Sequence, residues 1–464
     1  MWAACRGMSA SPAKLPFMSF TFADLFAGIG GFHAALSPRG GDCVFVSEWD
    51  KYAAETYKAH WLQDSDVEVS GDIRTLTEGD VVAVPKHDVL TGGFPCQPFS
   101  KSGNQLGVSE TRGTLFYNIL RIIEVRKPKI VLLENVRNLV GPKHHSDYLI
   151  MIRLLRELGY AVSEIPTILS PHEIPKKFGG SPQHRQRVFI GGVRVGKKRA
   201  LELDGIAPLL RRKPFQNFPE TIWDIKTELS NFKTQEVPSK SKLKVSSDQR
   251  DAVRMWEEFL IQYRRANDAN PPGLPMWTEF WKSRSEIRIS RDVPDWKRRF
   301  IERNSDLYQD NYKWIDKWRK LHELENLIPS HRKFEWQGRD SMSIYDCLLQ
   351  FRPSGIRVKE ATYVPAFVAL AQTPVLGWEM RELSEYEASR IQGFPSDFSF
   401  GDQRRGLSLK QIGNAVHPGS ATLVFHALVE RAKELGLDWA EDMVSPSRKV
   451  PSFPLNLTSL YGND

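Results

Sequence analysis

Cysteine is scarce in this chain of 464 residues: only Cys5, Cys43, Cys96 and Cys347, far apart in sequence. No pair has metal-ligand spacing and nothing forms a disulfide framework. The expectation is therefore a reduced, cytoplasmic compartment and no metal. Long apolar runs are missing too, since none approaches the ~18 residues that a membrane span needs. Met1 to Met18 has no continuous apolar core of signal-peptide type, which argues against export. This stretch (1–18) reads as a disordered tail or a mis-set start. The GxGxxG dinucleotide pattern is absent, which disfavours NAD. There is no internal repeat and no extended low-complexity tract.

What is present is an ordinary apolar content, 41%, and a net charge of +8 that is unevenly placed. Between Pro171 and Lys213 stand eleven Lys/Arg against three Asp/Glu, a surplus equal to that of the whole chain. A local basic stripe of this kind suits a polyanion, most simply nucleic acid.

From Phe20 to about Val195 short apolar strands alternate with helical stretches. Thr21–Phe26, Cys43–Val46, Val89–Leu90, Ile130–Leu133 and Val188–Ile190 read as strands, with helices over about Lys51–His60 and Leu115–Val125. Continuous apolar strands separated by helices predict an α/β fold, a doubly wound and mostly parallel sheet covered on both faces. After Gly196 the character changes to Lys-, Ser- and Pro-rich segments and then a tryptophan-rich basic region. Seven of the thirteen tryptophans lie between Trp256 and Trp336. Trp314 and Trp318, four apart, share a helix face, and such rings form the core of a smaller second domain. From about Leu376 the α/β character resumes, with a long helical stretch over Leu409–Leu435 that ends at Gly436. The expected division is 1–18 tail, 19–195 catalytic and cofactor-binding domain, 196–376 inserted domain, 377–440 return to the first domain, and 441–464 tail.

The motifs fall at strand ends. Gly92-Gly93-Phe94-Pro95-Cys96-Gln97-Pro98-Phe99-Ser100 puts a thiol between two prolines on a Gly-rich loop, a poor place for a packing cysteine and a good one for a nucleophile. Asp24-Leu25-Phe26-Ala27-Gly28-Ile29-Gly30-Gly31 is a Gly-rich turn at the carboxyl end of the first strand, where open α/β folds hold ligands. Glu48 with Trp49, and then Asp72, end the next strands; an acid suits ribose hydroxyls or an amino group, and a ring can cover an adenine. Three such strand ends in order point to an adenosine-containing cofactor. Glu134 closes the apolar run Leu132-Leu133 and is expected to be partly buried, with a raised pKa, able to donate a proton. Arg185 and Arg187, two apart in Gln183-His184-Arg185-Gln186-Arg187, would share one side of an extended segment and suit a phosphate or a base carbonyl. Gln411-Ile412-Gly413-Asn414-Ala415-Val416-His417-Pro418 makes a polar entry to the last helix.

Taken together, the ordered series DLFAGIGGF, SEWD, GDIR, GGFPCQPFS, LLENV, QHRQRVFIGG, RELSEYEASRIQGFP and QIGNAVHP strongly resembles the cytosine-C5 DNA methyltransferase family, of the bacterial restriction-modification type, over about Phe20–Val195 and Arg381–Leu435. The resemblance implies an S-adenosylmethionine-dependent methyltransferase fold and sequence-specific transfer of a methyl group to C5 of a flipped-out cytosine. Cys96 would attack C6, Glu134 would engage N3 and the exocyclic amine, Arg185 would bind the base carbonyl, and Arg187 would support the loop. S-adenosylmethionine would be held by Phe26, Gly28, Gly30, Glu48, Trp49, Asp72, Ile73, Leu115 and Asn414. The segment Pro95–Gly113 resembles a mobile catalytic loop whose Gln97, Ser100 and Ser102 would touch DNA. The inserted region becomes the target-recognition domain, in which Ser354–Arg357 and Thr362-Tyr363 resemble the part nearest DNA. Small departures are Ser384, where Thr is commoner, and His184, at a free position. The implied partners are double-stranded DNA and, genetically, a restriction endonuclease, for a monomeric bacterial protein associated with the nucleoid through DNA. No N-terminal regulatory domain of the eukaryotic maintenance type is seen. Two alternatives stay open: methylation of a transfer RNA by the same fold, disfavoured by the long Trp-rich insertion, and a non-catalytic DNA-binding relative, disfavoured by intact Cys96, Glu134 and Arg185.

Overall fold

A computed structural model describes residues 20–78, 82–95, 114–210, 222–232, 240–367 and 373–443. The expected N-terminal tail, residues 444–464 of the C-terminal one and the Cys96 loop beyond Pro95 fall outside the described residues, while residues 441–442 end a short helix (Trp439–Asp442). The chain divides into two compact units, one of residues 1–169, 186–214 and 416–464, the other of 170–185 and 215–415.

The first unit is built on an eight-stranded sheet. Its strands are β1 (Phe20–Leu25), β2 (Gly41–Ser47), β3 (Val69–Ser70), β4 (Val89–Gly93), β5 (Ile130–Val136), β6 (Tyr160–Ala161) and β7 (Thr167–Leu169). After the short β8 (Gln183–His184), which belongs to the other unit, β9 (Arg187–Arg194) completes it. The spatial order is β3-β2-β1-β4-β5-β9-β6, with β7 also on β9. Strands β3 to β5 are parallel, whereas β9 runs antiparallel to β5, β6 and β7. The sheet is thus mixed, and mostly parallel only in the half that carries the motifs. Apolar composition reveals that a strand is buried on both faces but not its direction.

Alternation along the strands sorts their side chains. Ala23, Leu25, Val131 and Leu133 pack on one face against α3 (Leu115–Arg126) and α4 (His145–Glu157). The opposite face, with Phe20 and Phe22, is covered by α1 (Gly31–Leu36) and α11 (Pro418–Glu434), Phe20 lying 5.0 Å from Phe425. Each fully buried Phe or Leu contributes about 2–3 kcal/mol. Helix α2 (Lys51–Trp61) starts where Asp50 accepts from the Tyr52 and Ala53 N–H groups. The one long helix expected over Leu409–Leu435 is instead two: α10 (Arg405–Asn414) stops before Ala415, and α11 begins afresh with His417 capping and Pro418 in its first turn. Proline fits a first turn and not a helix interior, so the break is written in the sequence.

The second unit holds a six-stranded sheet of β10 (Pro275–Trp277), β11 (Lys333–Gln337), β12 (Leu348–Arg352), β13 (Gly355–Lys359), β15 (Val375–Leu376) and β16 (Arg381–Glu382), with β14 (Val364–Pro365) pairing β8. Helices α7 (Ser247–Asn267) and α8 (Asp295–Leu321) pack on it through Trp256, Phe259 and Trp318, buried together with Trp281 from the segment between the helices, and with Trp314 partly so. The tryptophan spacing was a core signal, as expected. The units meet in sequence at other positions than 196 and 376. Segment 170–185 and helices α9 (Glu385–Ile391) and α10 belong to the second unit, because β8 pairs with β14 and Gln183 bonds Gln392.

Candidate active site

The carboxyl ends of β1, β2, β4 and β5 carry the expected polar residues of the first unit. Phe26 and Gly28 adopt positive φ, 53° and 55°, as the chain turns out of β1. A Cβ added at Gly28 would meet nothing within 4 Å, so this turn has open space above it. Gly30 is different: its Cβ would lie 2.1 Å from the Trp61 indole nitrogen, whose N–H donates to the Ile29 carbonyl. The first glycine leaves room; the second lets a ring close.

Glu48 is held in place. Its Oε2 accepts from the Gly28 N–H and its Oε1 from the Asp50 N–H, both at 2.8 Å, while burial raises its pKa. Trp49 beside it is 76% exposed, which is unusual for a residue of this size and leaves a ring face uncovered. Asp72 forks with Arg74 at 2.8 Å, and the guanidinium holds its carboxyl below the usual range. Ile73 is buried, and Leu115 and Phe26 pack at the edge of the core. Asn414, the last residue of α10, is exposed and belongs to the second unit, apart in the chain's organisation from the other cofactor candidates.

At the end of β5, Glu134 stands in register between Gly93 and Phe189. Its carboxylate pairs with Arg187, Nε to Oε1 at 2.9 Å, and both side chains are largely buried. Asn135 donates from its buried amide to the Phe94 carbonyl at 2.9 Å, tying the end of β5 to the last turn before the Cys96 loop. A Cβ on Gly93 would come 3.1 Å from Val416 and 3.8 Å from Glu134 Oε2, so only glycine fits comfortably above this carboxylate. Cys96, Gln97, Ser100 and Ser102 lie outside the described residues.

The two arginines separate. Arg185 is 2% exposed, and its guanidinium donates to the Gly413 and Ala415 carbonyls at 2.9 Å and to Phe367 at 3.4 Å, all within the second unit. The expected shared side does not exist, because β8 ends at His184 and β9 begins at Arg187, so strand alternation does not cross the gap. The basic stretch 171–213 is likewise split, Lys176, Lys177 and Arg185 falling in one unit and Arg187 to Arg199 in the other. Two buried polar residues stood inside quoted motifs without being singled out, Asn135 and Asp24, and Thr91, the partner of Asp24, stood just outside one. Asp24 is fully buried with its Oδ1 2.9 Å from the Thr91 hydroxyl, and burial pushes it up to about 8. The signal available was an acid flanked by apolar residues within a strand.

An open sheet with a glycine turn, acids and an ion-paired Glu–Arg at its carboxyl ends is the architecture of an α/β group-transfer enzyme. Residues 20–430 match the model of the C-5 cytosine-specific DNA methylase family, and the chain belongs to that family. It is a DNA (cytosine-5-)-methyltransferase. It is 35% identical to Type II methyltransferase M.AluI of Cellulosimicrobium cellulans, across 90% of this chain and 93% of that protein. Type II methyltransferase M.HgiBI of Herpetosiphon aurantiacus is 27% identical across 86% and 94%. A solved structure of S. pombe Dnmt2 methyltransferase, 16% identical, covers 89% of this chain and 99% of that one at a TM-score of 0.45, too slight a likeness to bear on the fold. Among the described residues no helix is long and apolar enough to cross a membrane.

Proposed function

We propose that this chain methylates C5 of a flipped-out cytosine within a specific duplex sequence, through a covalent bond from Cys96 to C6, as the modification half of a type II restriction-modification pair. The observation that carries the reading is the buried Glu134–Arg187 pair at the carboxyl edge of the sheet, tied through Asn135 to the root of the Cys96 loop.

The residues present fit S-adenosylmethionine. The open Gly28 turn, the anchored Glu48 carboxylate and the uncovered Trp49 ring offer backbone, ribose and base contacts, with Asp72, Ile73, Phe26 and Leu115 around them. When bound, it supplies an electrophilic methyl group that C5 takes. The chain's own residues do the rest. The Cys96 thiolate adds to C6, and the C5–C6 π pair moves to C5 as the new S–C bond forms. Glu134 contacts N3 and the exocyclic amine and offsets the charge that develops in the ring. Arg187, rather than Arg185, is the guanidinium that accompanies Glu134, so the base carbonyl is assigned to Arg187, and Arg185 is assigned to holding the turn after α10. After methylation the C5 proton leaves to a base, the double bond re-forms and the S–C6 bond breaks. Extruding the base costs a few kcal/mol, for which the loop must compensate.

The test is trapping. Bisulfite sequencing of host DNA expressing the chain defines the motif, and a duplex with 5-fluorocytosine at that position should then give a covalent adduct. Cys96→Ala should give none and lose methylation by at least ~10^3-fold, within the range seen for lost nucleophiles. No adduct with the unaltered chain would overturn the mechanism.

A further inference from the structure

The six-stranded sheet of the second unit has two unlike faces. Phe334 and Trp336 on β11, and Ile356 and Val358 on β13, turn into the tryptophan core. Register sets Glu335 beside Arg357 and Gln337 beside Lys359, with Gln350 of β12 on the other side of Arg357. Alternation therefore puts these polar residues together on the face away from the core.

Charge on that face is unevenly matched. The single Glu335 carboxylate serves both Arg352 and Arg357, each at 2.8 Å, and Glu360 pairs with Arg339 at 3.5 Å. Among the described residues the Lys359 ammonium has neither a carboxylate nor a hydrogen-bond partner. It lies 3.5 Å from the centroid of the Tyr363 ring. Tyr363 is itself packed against His172 and His184, at 4.5 and 5.7 Å between centroids, so the ring under the ammonium is fixed. Burial, with Arg339 and Arg357 nearby and Glu360 opposing them, pushes Lys359 down to about 8. A lysine on a merely solvated basic face would be free in water; this one is half-buried, held, and set against two other cations. Beside it opens a cavity of about 520 Å3 lined by Gln337, Arg339, Asp340, Lys359, Glu360 and Thr362, among others.

We infer that this cavity is a seat for the DNA substrate, in which Lys359 and Arg339 donate to acceptor atoms on a base edge of the recognition sequence. The inference rests on the proposed duplex substrate. The cavity is lined by as many acids as cations, Asp340 and Glu360 beside Arg339 and Lys359, so what it offers is a pattern of donors and acceptors, with Gln337 and Thr362, that suits the edge of a base pair better than a phosphate, which takes donors only.

The test uses the full chain. Lys359→Met keeps the aliphatic stem over Tyr363 and removes the charge, Arg339→Met does the same opposite, and Lys313→Met on an exposed turn of α8 controls for net charge. Thermal unfolding of each variant establishes that it is folded. Binding to fragments of host DNA is measured against salt, and the methylated motif is read by bisulfite sequencing. Lys359→Met should weaken binding about 5- to 100-fold and relax the motif at one position, the range for one base contact, while Lys313→Met should do neither. Weaker binding with an unchanged motif and a salt slope reduced by about 1 would make the acceptor a phosphate and still place DNA in this seat. Lys359→Met and Arg339→Met binding and methylating like the unaltered chain would overturn the inference. If the unaltered chain binds the fragments but makes no 5-methylcytosine, the methylation reading fails while the binding measurement still decides the seat.

Discussion

The two units put their buried polar groups to different uses. In the first, Asp24, Thr91, Glu134 and Asn135 are hidden at the carboxyl ends of the strands, beside the turn and loop assigned to cofactor and base. In the second, the deepest side chains are rings: Trp256, Trp281 and Trp318 are all under 2% exposed, and nine of the thirteen tryptophans belong to that unit. Its buried charges are anchors. Arg185 is spent on backbone carbonyls, and Arg381 forks with Glu387, which also accepts from the Ser384 N–H that begins α9. Buried polar groups cost stability unless matched, so each such anchor comes with its partners. An aromatic core makes no such demand and leaves the outer face of its sheet free to carry any pattern of donors and acceptors.

The contrast breaks most decisively at Trp256. Its ring stacks on Phe334 at 4.7 Å and its N–H donates to the His331 carbonyl at 2.8 Å. Trp256→Ala removes both and leaves a cavity, for a loss of about 4 kcal/mol. If the units are separate stability domains, tryptophan fluorescence, which reports mainly on the second unit, should show an early unfolding transition in urea. Binding of S-adenosylmethionine should persist through it. Coincident loss of both signals would mean one cooperative structure, and the comparison would then describe composition only.

The same division decides what could be read from sequence. The first sheet was legible because strands covered on both faces are continuous apolar runs: the parallel β1, β2, β4 and β5, and the antiparallel β9, all fall where expected. Two-residue strands such as β3 and β6 are too short to have a period, and the reversal of β9 leaves no trace in composition. The second unit gave up its tryptophan core but not its sheet, whose strands of two to five residues mix charge and apolar side chains. At the site, acids ending apolar runs were found, whereas the partnership of Glu134 was missed. Its partner depended on a break between His184 and Arg187 that residue counting cannot see.

That partnership is the next point of attack. Arg187→Met leaves the Glu134 carboxylate buried without its cation, a loss of about 3 kcal/mol if uncompensated. The expected outcome is a fall in kcat of at least ~100-fold on an unmodified duplex that carries the recognised motif, with the fluorescence transition of the second unit unmoved. Arg185→Met should invert the pattern, because three carbonyls of the second unit lose their donor: that transition moves first. Equal kinetic losses at unchanged stability for both variants would return Arg185 to the reacting base.

The smallest effect tests the polar half of the comparison at its most enclosed group. The Thr91 hydroxyl lies 2.9 Å from Asp24 Oδ1 and 3.2 Å from the Ala23 carbonyl, and one hydroxyl hydrogen cannot serve both acceptors. With Asp24 protonated the conflict disappears: the carboxyl donates to the Thr91 oxygen, and the hydroxyl donates to Ala23. Burial, with Glu48 nearby, pushes Asp24 up to about 8, in agreement. The native state therefore keeps a proton that the unfolded chain releases near pH 4. That preference favours folding fully below pH 4 and is lost as pH rises towards 8. Asp24→Asn copies the neutral acid, since its amide can donate to the Thr91 oxygen, and it carries no proton to lose. Relative to the unaltered chain its stability should rise between pH 5.5 and pH 8 by about 3 kcal/mol, measured by urea unfolding of the first unit, and level off above pH 8. A difference that stays constant across this range would mean that Asp24 is ionised in the native state, with its charge matched by a partner.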